Sequence, residues 1–462
     1  MEAPSLSLLL PHLLPPQPPP PAACLLHDWL TDVLHTSGCT FVFKAPSFTS
    51  YDVLLTCDPA NVNHVFNANF LNYPKGNEFA IIFDFLGNGI FNSDKDSWKF
   101  QRKKAHSLMS TPKFRSYVID ASKGKVHKSL IPLLDHFAQN PNKTLDLQDV
   151  FMRLSFDITC ILVFGVDPAC LSIGFPTVPF ASAMDDAEEV VFLRHNMPKA
   201  WWGLMRKLNI GPEKRLADAV KVLDHFIVKY VNERKEAKRG ENGDLITSYL
   251  DSEGEIADNG FSNLDIFLRD TVLNLMVAGR DTISSALTWF FYLIAKNPTV
   301  EAKILDEIKT QGLEDLGRLV YLHAALCESL RLYPPVPFEH KGVLKPDRLP
   351  SGVMVHRNRR VLFSSYAMAR MEGVWGKDCS EFRPERWISP ETGKVRHEPS
   401  YKFFAFNAGP RTCLGRDIAF TQLKVVAAFK VRVLEGFVAK PKLSIILHMD
   451  GGLAVKVSER ED

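Results

Sequence analysis

The chain reads as mainly α-helical with a minor β region. Three observations carry that reading: an apolar pattern of helical length from Ser262 to Ala295, two short β-type runs between Cys39 and Cys57, and an apolar helix directly behind a glycine-flanked cysteine loop near the C-terminus. With 462 residues, 46% hydrophobic and 23% charged, the chain can bury a large core. No linker-like stretch divides it after residue 26, so one domain over 27–462 is expected behind a short segment of 1–26.

That segment reads as an eroded anchor and a hinge. Leu6 to Leu14 is apolar but is interrupted by Pro11, and no basic residue precedes it. Spanning a bilayer takes roughly twenty apolar residues. Pro15 to Pro21, around Gln17, is a polyproline II spacer. Thr40-Phe41-Val42-Phe43 and Val53-Leu54-Leu55-Thr56 then read as two strands. A Gly- and Phe-rich loop runs from Tyr73 to Phe91, and Asp96 or Ser97 caps a helix through Met109. Helices follow over Leu145–Phe164 and Phe180–Arg194, then a loop with Pro198, Trp201 and Trp202, then a long helix ending near Lys238. Arg234 to Asp244 is a charged connector. The Ser262–Ala295 pattern would be roughly 50 Å long at 1.5 Å per residue. Arg269, Asp270, Arg280 and Asp281 exclude it as a membrane span, so it belongs in a protein core. Arg318 to Tyr333 is a helix ended by Pro334-Pro335, and Gly415 to Phe429 lies behind the cysteine loop. There is no internal repeat.

The formal charge of +2 argues against nucleic-acid binding. Eight scattered cysteines without a C-x-x-C pair suit reduced thiols facing the cytosol rather than a disulfide framework.

Phe406-Asn407-Ala408-Gly409-Pro410-Arg411-Thr412-Cys413-Leu414-Gly415 has the spacing F-x-x-G-x-R-x-C-x-G. A cysteine in a rigid loop just ahead of a helix is suited to ligating iron, because the metal and the helix N–H groups both favour thiolate. Gly409 and Gly415 remove side chains where the backbone passes a flat ligand. Arg411 can reach an anion such as a haem propionate, and Phe406 can cover the sulfur. An ordinary buried cysteine is the commoner fate of a lone Cys, but packing alone does not ask for five fixed types at this spacing. Within the long helix lies Ala278-Gly279-Arg280-Asp281-Thr282. A mid-helix glycine costs about 1 kcal/mol, which a bend toward bound dioxygen or water would explain. Thr282 would then offer its hydroxyl to the distal oxygen, and Asp281 would feed protons inward. The plainer alternative is a helix packed through Gly279, with Asp281 paired to an arginine.

Together these motifs resemble those of the cytochrome P-450 superfamily of haem-thiolate monooxygenases, and the resemblance covers the chain from about His27 onward. It implies the cytochrome P-450 fold, a long central helix over a haem held by a Cys loop. The implied cofactor is haem b (iron protoporphyrin IX), with Cys413 as the metal ligand and Asp281 and Thr282 as the catalytic pair. Trp98 and Arg102, at i and i+4, resemble propionate partners beside Arg411, with His340 as another; a Trp98–Arg102 cation–π contact is the plainer reading of that pair. Glu328, Arg331 and Arg386 become a buried structural triad.

The resemblance is closest to the plant branch that oxidises long aliphatic chains, alkane hydroxylases before fatty-acid hydroxylases. It is carried by Arg331-Leu332-Tyr333-Pro334-Pro335-Val336-Pro337-Phe338, Arg396 to Phe403 and Ile445 to Met449. Phe79, Ile81, Ile82, Phe83, Phe85, Leu86, Phe91, Met276, Val336 and Phe338 would form an apolar pocket for a long-chain aliphatic substrate, although core packing serves most of them equally. The implied partners are dioxygen and an NADPH-dependent flavoprotein reductase, for which Lys99, Lys103, Lys104, Arg416 and Lys424 offer a basic patch unless they are simply solvated helix faces; Trp201 and Trp202 suit a membrane surface or, nearly as well, a packed loop. The implied location is the cytosolic face of the endoplasmic reticulum membrane. Two other readings stand beside this one. A haem-thiolate isomerase or dehydratase would act on a peroxide, and an inactive truncated member is suggested by the short stretches at 309–318 and 429–441.

Overall fold

The computed structural model describes residues 26–44, 52–140, 142–236, 243–427, 432–433, 437 and 439–458. The expected anchor and hinge, and most of the shortened 429–441 stretch, lie outside the described residues.

Four strands make the main sheet: β1 (Thr40–Phe43), β2 (Val53–Thr56), β3 (Phe338–Gly342) and β4 (Arg360–Ser364), in the order β1-β2-β4-β3. The first two match the expected runs residue for residue. β2 and β4 pair in parallel with Val53 opposite Arg360, while β3 and β4 are antiparallel with His340 opposite Leu362. Half of this sheet comes from residues 338–364, a stretch the sequence does not mark as strand. The sequence of β3, Phe-Glu-His-Lys-Gly, has no alternation that would announce a strand, and pairing with β4 creates it. A smaller sheet joins Leu145–Asp146, Ala454–Lys456 and Arg432–Val433.

Eight helices position the site: α1 (Lys95–Met109), α2 (Leu147–Phe164), α3 (Pro179–Asn196), α4 (Lys199–Leu208), α5 (Gly211–Glu236), α6 (Leu264–Lys296), α7 (Val320–Leu332) and α8 (Arg416–Val426). α6 starts where the Asn263 side chain accepts the Ile266 N–H and runs 33 residues to Lys296. It buries residues around nearly its whole circumference, as an all-round apolar helix must. Its closest neighbour is α2, where Ser155 donates to the Arg280 carbonyl at 2.7 Å.

A side chain at Gly279 would place its Cβ 2.5 Å from Thr159 Oγ1. Gly279 thus lets α2 approach, and α6 continues as α-helix through it, so packing rather than a bend accounts for this glycine.

The segment expected as a loop around Trp201 and Trp202 is α4. Trp202 is buried against the guanidinium groups of Arg194 and Arg206, at 4.9 and 5.1 Å, and of the two tryptophans only Trp201 faces outward. Exposed Leu204 and Leu208 share α4 with it, and exposed Ile210 follows.

Below the site, α7 presents Glu328, fully buried, to five donors. Arg331 binds it through Nε and Nη2 at 2.8 Å, Trp387 Nε1 at 2.8 Å, the Arg383 N–H at 3.1 Å and Arg386 Nε at 3.2 Å. This is the expected triad with two further donors, and it welds α7 to the segment that leads into the cysteine loop.

Candidate active site

The cysteine loop is a tight fold. The Cys413 N–H donates to the Phe406 carbonyl at 2.8 Å and the Thr412 N–H to the Gly409 carbonyl at 3.0 Å. Gly409 has φ +65°, and a Cβ there would sit 1.9 Å from the Phe66 carbonyl oxygen, so only glycine closes this turn. The Cys413 side chain is exposed to solvent although protein surrounds it on nearly every side, which places it on the floor of a recess. Burial raises its thiol above the ordinary cysteine range, against the lowering effects of the Gly415 N–H, Arg102 and Arg416. The Gly415 N–H favours the thiolate in the direction expected, but it does not offset burial by itself; a metal cation would have to supply the remaining stabilisation. Phe406 packs against Phe420 at 5.3 Å and lies under Arg416.

Trp98 and Arg102 of α1 meet Arg411 as expected. The Arg411 guanidinium lies 4.5 Å over the Trp98 ring and Arg102 lies 5.9 Å from it, so the cation–π contact is also present. Arg411 donates to the Ser93 carbonyl at 2.8 Å and Asp94 at 2.6 Å, and Arg102 to the Thr412 carbonyl at 2.7 Å.

His340 does not join them. Neighbouring residues on a strand point to opposite faces, and His340 turns to Phe79, 5.7 Å away, and toward His195 and Arg360. Lys341 takes the other face. Its Nζ is buried without a hydrogen-bond partner, above Phe66 at 4.7 Å and Phe70 at 5.5 Å, and Phe70 in turn touches Trp98. Burial, then the Lys75 and Arg411 cations, hold its ammonium well below the usual lysine range.

A buried amine with no hydrogen-bond partner, which only a counter-charge would keep protonated, beside Arg411 whose Nε is also unpaired, marks a place that suits an added anion. Two carboxylates on a flat ligand above Cys413 satisfy that demand, so the residues present fit a haem. The sequence signal for Lys341 was strand alternation, which becomes readable only once β3 is known to be a strand.

On α6, Thr282 donates to the Ala278 carbonyl at 2.6 Å and keeps its acceptor lone pairs. Asp281 is fully buried, with Arg280 Nη1 3.2 Å away. The loop from Leu86 to Phe91 is tied to α6: the Asn88 N–H donates to Asp270 at 2.7 Å, the Phe91 N–H to Asn274 at 3.1 Å, and Asn274 Nδ2 to the Leu86 carbonyl at 2.9 Å. Gly87 and Gly89 make room, because a Cβ at either would fall about 2 Å from those side chains. Phe79 and Phe83 stack at 4.3 Å, and Met276 is fully buried. Asp270 and Asn274, which set this apolar wall, escaped sequence reasoning because they look like interruptions of the helix.

On the other side, the expected basic patch is thinned. Lys424 is buried and donates to the Leu316 and Leu319 carbonyls, Lys104 pairs with Glu255 at 2.7 Å and Lys99 with Asp96 at 3.1 Å. Lys103 and Arg416 are exposed.

A cysteine loop just ahead of a helix, with Trp98, Arg102 and Arg411 gathered beside it, is the arrangement a haem-thiolate protein requires. The Cytochrome P450 family model matches residues 42–452, and the chain belongs to that family and is a monooxygenase of it. Alkane hydroxylase MAH1 of Arabidopsis thaliana is 44% identical over 447 residues, 94% of this chain and 90% of its own length. Noroxomaritidine synthase of Narcissus aff. pseudonarcissus MK-2014 is also 44% identical, over 94% of this chain and 88% of its own. Cytochrome P450 86B1 of Arabidopsis thaliana is 42% identical over 94% of this chain and 82% of its own.

Proposed function

We propose that the protein hydroxylates long aliphatic chains, alkanes or fatty acids, with Cys413 ligating haem b. The observation that carries the site assignment is the Cys413 thiol on the floor of a recess beside the Arg102, Arg411 and Lys341 cations. Trp98, Arg102, Arg411 and Lys341 would hold the propionates, Phe406 and Gly409 would shape the loop around the sulfur, and bound haem supplies the activation of dioxygen. His340, whose two ring nitrogens are buried and unpartnered, would line the access side rather than a propionate.

This chain's own residues do three things. Phe79, Phe83 and Met276 give an aliphatic chain an apolar, water-poor wall. Thr282 would offer a hydroxyl to bound oxygen, oriented by its bond to the Ala278 carbonyl. Asp281 stands one residue away as a proton donor shielded from solvent. That pair favours oxygen activation over isomerase or dehydratase chemistry, which needs no proton delivery of this kind. The relative named for alkane hydroxylation supports an aliphatic substrate; the synthase at equal identity carries a different product in its name, so the substrate must be measured.

Electrons would come from an NADPH-dependent flavoprotein reductase meeting Lys103 and Arg416. No helix among the described residues is long and apolar enough to cross a membrane. Trp201, Leu204, Leu208 and Ile210, flanked by Lys199 and Lys207, would rest on the endoplasmic reticulum surface instead.

Incubation with reductase, NADPH, labelled dioxygen and either a long alkane or a fatty acid tests the reading. Alcohol carrying one labelled oxygen is expected. Unlabelled product, or none from a preparation with a thiolate-type carbon-monoxide spectrum, overturns it. Cys413→Ala should lose that spectrum.

A further inference from the structure

Glu188 of α3, Asp281 of α6 and His448 of the C-terminal loop converge behind the oxygen side of the site, one ligand atom of each lying within 4.8 Å of the others. Glu188 is nine-tenths buried and Asp281 completely so. Oε1 of Glu188, both carboxylate oxygens of Asp281 and Nδ1 of His448 have no hydrogen-bond partner. Buried polar atoms left in this state call for an occupant.

The charges say which. The groups that face one another are Asp185 and Glu188 from α3, Arg280 and Asp281 from α6, and His448 and Lys442 from the C-terminal loop. Arg280 bridges Asp185 at 2.8 Å and Asp281 at 3.2 Å, and Asp185 is 55% exposed, so water shares its charge. That leaves one guanidinium to balance Asp281 and nothing to balance Glu188, because burial and Arg280 keep the His448 imidazole neutral. Two buried carboxylates at this separation cannot both be ionised cheaply, and one proton restores balance.

We propose, resting on the monooxygenase reading, that Glu188 and Asp281 form a buried pair that stores one exchangeable proton beside Thr282, with neutral His448 as its third wall. Burial, then Asp281, raises the Glu188 carboxyl well above its ordinary range, so the stored proton resides there at neutral pH. On demand the O–H bond at Glu188 breaks as one forms at Asp281, and no electrons change owner. Solvent protons return at the exposed Asp185 side. Glu188 is thus a positioning residue that acts through Asp281. No sequence motif marks it, because α3 and α6 meet only in the fold.

Infrared spectroscopy of the haem-loaded full chain, without substrate or reductase, tests this directly. A protonated-carboxyl stretch is expected at neutral pH, shifted in heavy water and fading as pH rises. Glu188→Gln should delete the band, raise peroxide released per NADPH and flatten its pH dependence, while Glu188→Asp restores all three. Persistence of the band in Glu188→Gln overturns the proposal. So does a wild-type band that emerges only after treatment with a chelator, which would place a divalent cation among the three side chains. If the variant does not fold, the wild-type pH titration decides alone, and a wild type lacking the band at neutral pH rejects the idea. A missing thiolate spectrum with the band present would instead sink the haem assignment and leave the pair standing.

Discussion

At the scale of single residues, the site depends on groups whose surroundings permit no substitute. Gly409 combines φ +65° with a carbonyl 1.9 Å from where a Cβ would go. Gly409→Ala should cost at least the roughly 1–2 kcal/mol of a left-handed L-residue, and the displaced loop should lower haem occupancy. The ratio of Soret to protein absorbance, with the thermal midpoint, checks both. Thr282 is the opposite kind of residue, since its hydroxyl bonds only its own helix. Thr282→Ala should leave the fold and thiolate spectrum intact while diverting NADPH into peroxide; unchanged coupling would remove Thr282 from proton delivery. That Trp98 and Arg102 would stand beside Arg411 was legible from the resemblance, because the motif spacings that carry it are local. Lys341 was not, because neighbouring His340 attracts attention as a residue type, while strand geometry decides which of the two faces the site.

At the scale of elements, the distal wall is a loop fastened to a helix. Asn274 accepts the Phe91 N–H and donates to the Leu86 and Asp270 carbonyls, all in the interior of the site. Asn274→Ala should cost about 1–3 kcal/mol, the penalty for leaving such groups unpaired. The loss should be local: faster hydrogen exchange at Asn88 and Phe91 and weaker substrate affinity, with exchange in α2 unchanged. Exchange at those two amides equal to wild type would mean the loop is held by other contacts. Helix α4 makes a related point. Its residues were expected to be a loop, but burying Trp202 against the guanidinium groups of Arg194 and Arg206 offsets the ordering of a short helix.

At the scale of the whole molecule, several histidines are held neutral by burial. His27 and His195 are lowered to about 4 and His323 to about 3, in each case chiefly by loss of solvent. A folded-state value below the unfolded 6.5 means the unfolded chain binds protons first on acidification. Their contribution is complete above pH 6.5 and is lost as pH falls toward about 4. The urea midpoint of the holoprotein should be level above pH 6.5 and fall as pH drops from 6.5 toward about 4. His27→Phe should soften the slope, and an unaltered slope would assign acid sensitivity to other groups.

Alone, the sequence determined the class of fold, the extents of α6 and α7 to within about two residues, and the strands β1 and β2. Each of these rests on contacts within a few residues, where periodicity and spacing are the physics. Tertiary structure decided what distance along the chain conceals. It made a strand of Phe338–Gly342, gave Gly279 to packing against α2, withdrew Lys424 from the surface, and brought Glu188 and His448 to Asp281. Burial and desolvation set the character of those groups, and both are properties of neighbours that the order of residues does not name.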